Sequence, residues 1–252
     1  MTGMTRPGKN PRAGRLSGTR AALIVSRLAV KRLLRGRVVW LSLALVALPA
    51  IAVALFADRE PSDQLWQQVY RVLIVVLALL PPLYLAPAVG EEIDDNTFTY
   101  LWSRPFPRWS LLLGKLIGLF PIAMVILCAM VASTFFVAFG TPTGEFARFL
   151  WQGLFAMSLG TLATSALCVA VGTAIPRHAT AISLIYLLVI DLSVSVMPFS
   201  IRELAIRHHV DELAMSGLDG GDIAWLAGMT AVWLGVAMWR ITSSEYATAR
   251  SH

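Results

Sequence analysis

Six stretches of this chain are apolar, almost free of charge and close to twenty residues or longer: 38–57, 69–89, 111–139, 149–175, 179–198 and 223–239. A helix needs about 20 such residues to cross roughly 30 Å of hydrocarbon, and in hydrocarbon only helices and closed barrels satisfy their own backbone. Barrel strands are half this length. The expectation is therefore an all-α integral membrane protein with six transmembrane helices. Of the 252 residues 57% are hydrophobic and 14% charged, with a mean hydropathy of +0.68, whereas soluble domains carry about 25% charged residues. A soluble globular fold, a coiled coil and a disordered chain are excluded.

Basic residues orient the spans, because cytoplasmic segments carry the excess of Lys and Arg. Sixteen of the 21 lie before the first span, in the 91–115 loop, at Arg177 or in the tail; Arg59, Arg71, Arg148, Arg202 and Arg207 lie on the other side. Both termini are expected in the cytoplasm. The net charge of +6 then reflects topology, and no nucleic-acid partner is implied. Residues 1–19 read as a disordered basic arm, 20–240 as one six-span domain and 241–252 as a cytoplasmic tail. The first apolar run starts too late and is too long for a cleaved signal peptide.

Arg20, Arg27, Lys31 and Arg35 share one side of a helical wheel that also carries Leu23, Val30 and Leu34. That pattern suits an amphipathic helix lying in the interface against membrane lipid, with Gly36 as the corner into the first span. Between the last two spans, residues 199–222 carry Glu203, His208, His209, Asp211, Glu212, Asp219 and Asp222 among apolar residues. Their spacing suits short external amphipathic helices and no metal site, since adjacent histidines point different ways on a helix. Asp191, within the fifth span, costs a few kcal/mol there, on the order of the insertion penalty, unless paired or hydrated. Two readings are open for it, lining a path or supporting the packing. For Arg71 they are pairing with Asp191 or snorkelling from the helix end. Gly153, Gly160 and Gly172 in the fourth span suit close helix packing.

The most distinctive segment is the cytoplasmic loop 90–118. Glu91 and Glu92 open it, an amphipathic stretch with Asn96, Thr97, Tyr100 and Leu101 follows, and Arg104-Pro105 and Pro107-Arg108 interrupt it before Gly114-Lys115. In that order it resembles the cytoplasmic loop of ABC-2-type permeases, the membrane subunits of ATP-binding-cassette exporters. That family has Gly where this chain has Asn96 and Ser where it has Pro107. Asn is the next residue to tolerate a left-handed backbone, so the first departure is mild.

The resemblance implies a multi-pass subunit of a prokaryotic inner membrane. It implies a coupling helix in the 91–110 loop that docks a separate ATP-binding subunit, through Glu91, Glu92, Asn96, Thr97, Tyr100, Leu101, Arg104, Pro105, Arg108 and Lys115. It also implies a second permease copy, as homodimer or heterodimer. Gly114-Lys115 is followed by Leu116 and an apolar span, which is no phosphate-binding loop. ATP and Mg are accordingly expected on the partner, with no cofactor on this chain. Intramembrane hydrolysis is not indicated either, for want of a His-Glu-x-x-His, an aspartate pair or a Gly-x-Ser-x-Gly. The remaining alternative is a permease-fold scaffold, an assembly or immunity factor without cargo.

Overall fold

The computed structural model describes residues 18–56, 63–94, 108–141, 144–197 and 200–243, and every regular element among them is helical. In chain order these are α1 (Gly18–Arg35), α2 (Arg37–Phe56), α3 (Asp63–Asp94), α4 (Arg108–Phe139), α5 (Ala147–Ala174), α6 (Pro176–Ser195), α7 (Ile206–Met215) and α8 (Gly220–Ser243). Single 3-10 turns at Gly144–Phe146 and Ser200–Leu204 precede α5 and α7.

Five helices, α3, α4, α5, α6 and α8, are long and apolar enough to cross a bilayer. Six spans were expected. The sixth, α2, runs 20 residues, but its apolar stretch over Trp40–Leu55 falls short of that length. α3 starts at Asp63, six residues ahead of the apolar run. Its first turns are amphipathic: Leu65, Trp66, Val69 and Tyr70 are buried while Gln64, Gln67, Gln68 and Arg71 are exposed. Averaged hydropathy hides such a face, whereas the 3.6-residue period displays it. Pro49, Pro81, Pro82, Pro87 and Pro121 all sit inside uninterrupted helices.

α3 and α5 form the middle of the bundle, 61% and 67% buried over their apolar windows, against 22% for α6 and 17% for α8. α5 packs on α3, α4, α7 and α8. Small residues let it come close. A Cβ added at Gly153 would stand 2.8 Å from the Trp66 ring, and one at Gly160 2.7 Å from Val210. Trp66, fully buried, anchors an aromatic cluster with Tyr70, Phe135, Phe139 and Phe149, its ring stacked on Phe149 at 5.9 Å. α6 changes its winding midway, with a π-helical stretch over Tyr186–Asp191. Such stretches shift the register of everything beyond them.

α1 lies along α4 at backbone contact. A Cβ at Gly114 would come within 2.6 Å of the Ala22 carbonyl oxygen, and one at Gly118 within 2.9 Å of that of Ser26. Two small-x-x-x-small pairs thus face each other, the arrangement that allows helices to approach most closely. Arg27 and Lys31 remain exposed on the opposite side of α1, together with Leu23, Leu28 and Leu34.

Gly114→Val is expected to destabilise the protein by about 1–3 kcal/mol, because the obstacle is backbone and cannot swing aside. Gly228→Ala is the control: a Cβ there meets nothing within 4 Å. Unfolding in mixed micelles checks both, with protease cleavage ahead of α2 reporting the release of α1.

Candidate functional site

Two places in the fold carry polar chemistry. One is the end where the 95–107 connection leaves α3 and enters α4, called here the stem end; the other is the opposite end, around α7.

At the stem end, Glu91 and Glu92 fall in the last turn of α3 and Arg108 opens α4. Asn96, Thr97, Tyr100, Leu101, Arg104 and Pro105 lie outside the described residues. Lys115 is only 4% exposed and donates to the carbonyl of Ala88. It ties the two stems together, with its positive charge near the C-terminal end of α3, where the helix dipole is negative. One helix over, Gly90 approaches the Pro176 carbonyl so closely that a Cβ would sit 2.5 Å from it. Ser42 of α2 and Tyr84 of α3 pair their hydroxyls on the same side. The stems of the loop are therefore joined to α1, α2 and α6, as well as to each other.

At the other end Asp191 is 6% exposed, and both of its carboxylate oxygens accept backbone N–H groups of α7, from Ile206 at 2.8 Å and Arg207 at 3.2 Å. The residue at the start of α7, Ala205, has no side chain that can cap it. A carboxylate from α6 does so instead, where the positive end of the helix dipole favours it. Arg207 is the cation close to Asp191, and His209 lies near it as well. Arg71 is exposed on α3 and stands instead near Asp211, so the suggested Asp191–Arg71 pair is not formed.

His209 forms a second tie. Its Nε2 donates to the Glu203 carbonyl at 2.7 Å, and its Nδ1 lies 2.6 Å from an Asp222 carboxylate oxygen with a proton between them. Trp225 donates to the same Glu203 carbonyl and packs edge-on against the imidazole at 5.6 Å. α7 is thus fastened to α6 through Asp191 and to α8 through Asp222. Spacing alone did not reveal this node, because one of its acceptors is a main-chain carbonyl. The available signal was an Asp opening α8 three residues before a Trp.

Asp211 faces inward from α7, with one carboxylate oxygen buried and without a hydrogen-bond partner among the described residues. Burial pushes its carboxyl up from the usual carboxylate range, against the opposing pull of Arg207 and Arg71. A folded-state value above the unfolded one means folding favours the protonated form. That contribution is full below the unfolded value and is lost as pH rises through the folded one.

Asp191→Ala is expected to cost about 1–3 kcal/mol and to speed amide exchange at Ile206 and Arg207, with Asp191→Asn intermediate because one acceptor oxygen remains. Unchanged exchange in the alanine variant would refute the cap. Asp211→Asn should melt with the parent near pH 4 and a few degrees above it near pH 8, approximate limits chosen to bracket the carboxylate range. A thermal series across those pH values checks it.

The comparisons with known proteins fit this architecture. The family model described as "ABC-2 family transporter protein" matches residues 41–205, from α2 through the stem end to the residue before α7. No curated protein matches the chain. Matched over well more than half its length, with membrane-length helices on either side of the loop stems, this chain belongs to the ABC-2 family of transporter proteins as a multi-pass permease component.

Proposed function

We propose that this chain is the membrane subunit of an ATP-driven exporter, which forms the substrate path with a second permease copy and is driven by a separate ATP-binding subunit docked on the 91–110 loop. The observation that carries the reading is the family match over 41–205, which includes both stems of that loop. The stem end supports it further: Lys115, Gly90, Gly114 and Gly118 join the stems to α1, α3 and α6, so a push on the loop is passed to several helices.

In this reading α2 is the sixth span. Its 20 residues extend about 30 Å at 1.5 Å per residue, and Trp40, Leu48, Ile51 and Leu55 point outward, as lipid-facing residues do. The charge bias of the sequence puts the stem end and both termini in the cytoplasm, α1 in the inner interface, and α7 on the outside. The unit that moves is 20–240, with 1–19 as an arm and 241–252 as a tail. The membrane is the inner membrane of a prokaryote, and ATP and Mg reside on the partner. Asp191 and Asp222 hold α7 across the outer ends of α6 and α8, so the outer end opens where these ties part.

Affinity purification of the tagged chain from its own membranes in mild detergent tests this. A stoichiometric co-purifying protein with ATPase activity is expected, and Glu92→Lys or Tyr100→Ala should cut its recovery several-fold while the membrane subunit stays folded. Repeated purification without any ATPase would instead favour the scaffold reading.

A further inference from the structure

The His209 node needs a proton that a neutral imidazole with an ionised carboxylate does not supply. A neutral ring has one N–H and one bare nitrogen, so it donates once and accepts once. Here Nε2 lies 2.7 Å from the Glu203 carbonyl oxygen, and Nδ1 lies 2.6 Å from an Asp222 carboxylate oxygen. The carbonyl can only accept, and it also takes the indole N–H of Trp225. Nε2 therefore carries a hydrogen. On a neutral ring Nδ1 then aims a lone pair at an ionised carboxylate, and at that distance two acceptors repel. The contact exists only with a proton in it. Turning the ring over does not help, because carbons would then take the places of both nitrogens. His209 is buried and Asp222 half-buried, so the proton reaches solvent on the Asp222 side.

Other titratable and charged groups surround the ring. On α6, Asp191 interacts with it electrostatically, although both of its oxygens serve the α7 amides. α7 itself carries Arg207, Asp211, Glu212 and His208, whose ring centroid is 5.3 Å from that of His209. The 3-10 turn ahead of it carries Arg202 and Glu203, both exposed. From α3, Tyr70 and Arg71 stand near Asp211. Asp219 is exposed just ahead of α8. α5 packs along α7, but its charged residue, Arg148, pairs with Asp63 at 3.8 Å. Of these described groups, the carboxylate of Asp222 is the one within hydrogen-bonding distance of a ring nitrogen. The others modulate the tie, and Asp222 makes it.

We propose that this node is a proton-operated latch between α7 and α8, closed while a proton lies between His209 and Asp222 and open once that proton is lost. Opening undoes the polar tie to α8 and leaves α7 capped by Asp191 and packed on α5. Folding with the latch closed takes up a proton, so its contribution to stability falls as pH rises. That the latch faces the outside, where external pH would set how easily the outer end parts, rests on the proposed function; the need for the proton does not.

The experiment is thermal unfolding of the purified full chain in mixed micelles without any ATPase, so its outcome stands apart from that of the exporter reading. Midpoints are measured at about pH 5.5 and about pH 8.5, on either side of the ordinary imidazole range, for the parent, Asp222→Asn and His209→Gln. An asparagine amide can donate its N–H to the bare Nδ1 of a neutral ring, so Asp222→Asn keeps the tie without the added proton. Between the two pH values the parent is expected to lose about 3 °C more than either variant, since Asp211 is common to all three chains. If His209→Gln fails to fold, the near-isosteric Asp222→Asn still decides. The same pH dependence in all three chains overturns the proposal. A dependence that survives one substitution overturns it too: survival in Asp222→Asn would leave the ring acting through the Glu203 carbonyl alone, and survival in His209→Gln would leave Asp222 titrating by itself.

Discussion

In hydrocarbon a helix satisfies its own backbone everywhere except at its ends, and the ends are where this protein places its buried charge. Among the described residues the buried side chains of formal charge are Lys115 and Asp191. Each serves a backbone group near the end of another helix. Lys115 donates to a carbonyl near the C-terminal end of α3, and Asp191 accepts from the first N–H groups of α7. The signs follow the helix dipoles, positive at the carboxyl end and negative at the amino end. A short helix such as α7 cannot start beside a membrane with exposed amides unless something else in the fold accepts them, so α6 supplies that acceptor.

The same requirement explains why the two ends of the bundle differ. At the stem end backbone meets backbone, Gly114 on Ala22, Gly118 on Ser26 and Gly90 on Pro176, with no room to yield, and the side-chain bonds of Lys115 to Ala88 and of Ser42 with Tyr84 add to these contacts. At the α7 end they are polar ties from single side chains, Asp191 to the α7 amides and His209 to Asp222. Between the ends run α3 and α5, the two most buried spans, braced by Trp66 against Phe149 and by Gly160 against Val210.

Much of this was legible in the sequence, because hydrocarbon admits so few folds. The long apolar runs became helices at nearly the expected limits, and Gly153, Gly160 and Gly172 sit where helices meet. The misses have physical reasons. The start of α3 is amphipathic, so its mean hydropathy left Leu65 and Trp66 outside the span. Asp191 has main-chain partners, and no residue type announces those, so the sequence offered Arg71 as one of two open readings and did not show the α7 amides. Gly114-Lys115 carried the family resemblance, but the pair also does a local job: the glycine admits α1, and the lysine fastens α3. The π-helical stretch of α6 leaves no mark in composition, yet it lies immediately before the cap and sets the register in which Asp191 faces α7. Most of the loop residues behind the docking expectation lie outside the described structure, and their reading remains that of the sequence.

Stiff and soft ends have a mechanical consequence in the proposed exporter. Each polar tie at α7 is worth on the order of 1–3 kcal/mol, comparable with the coupling energies by which one site typically biases another. Prising α1 from α4 would instead undo backbone contact along two turns and expose that surface. A force applied at the loop is then carried through the stem end, because the backbone contacts there leave no room to yield. The first contacts to part are at the far end, the polar ties that join α7, itself packed on α5, to α6 and α8 by one carboxylate each. Rigidity near the applied force and weakness at the outlet are what a bundle needs if a docked partner is to open it from the opposite face.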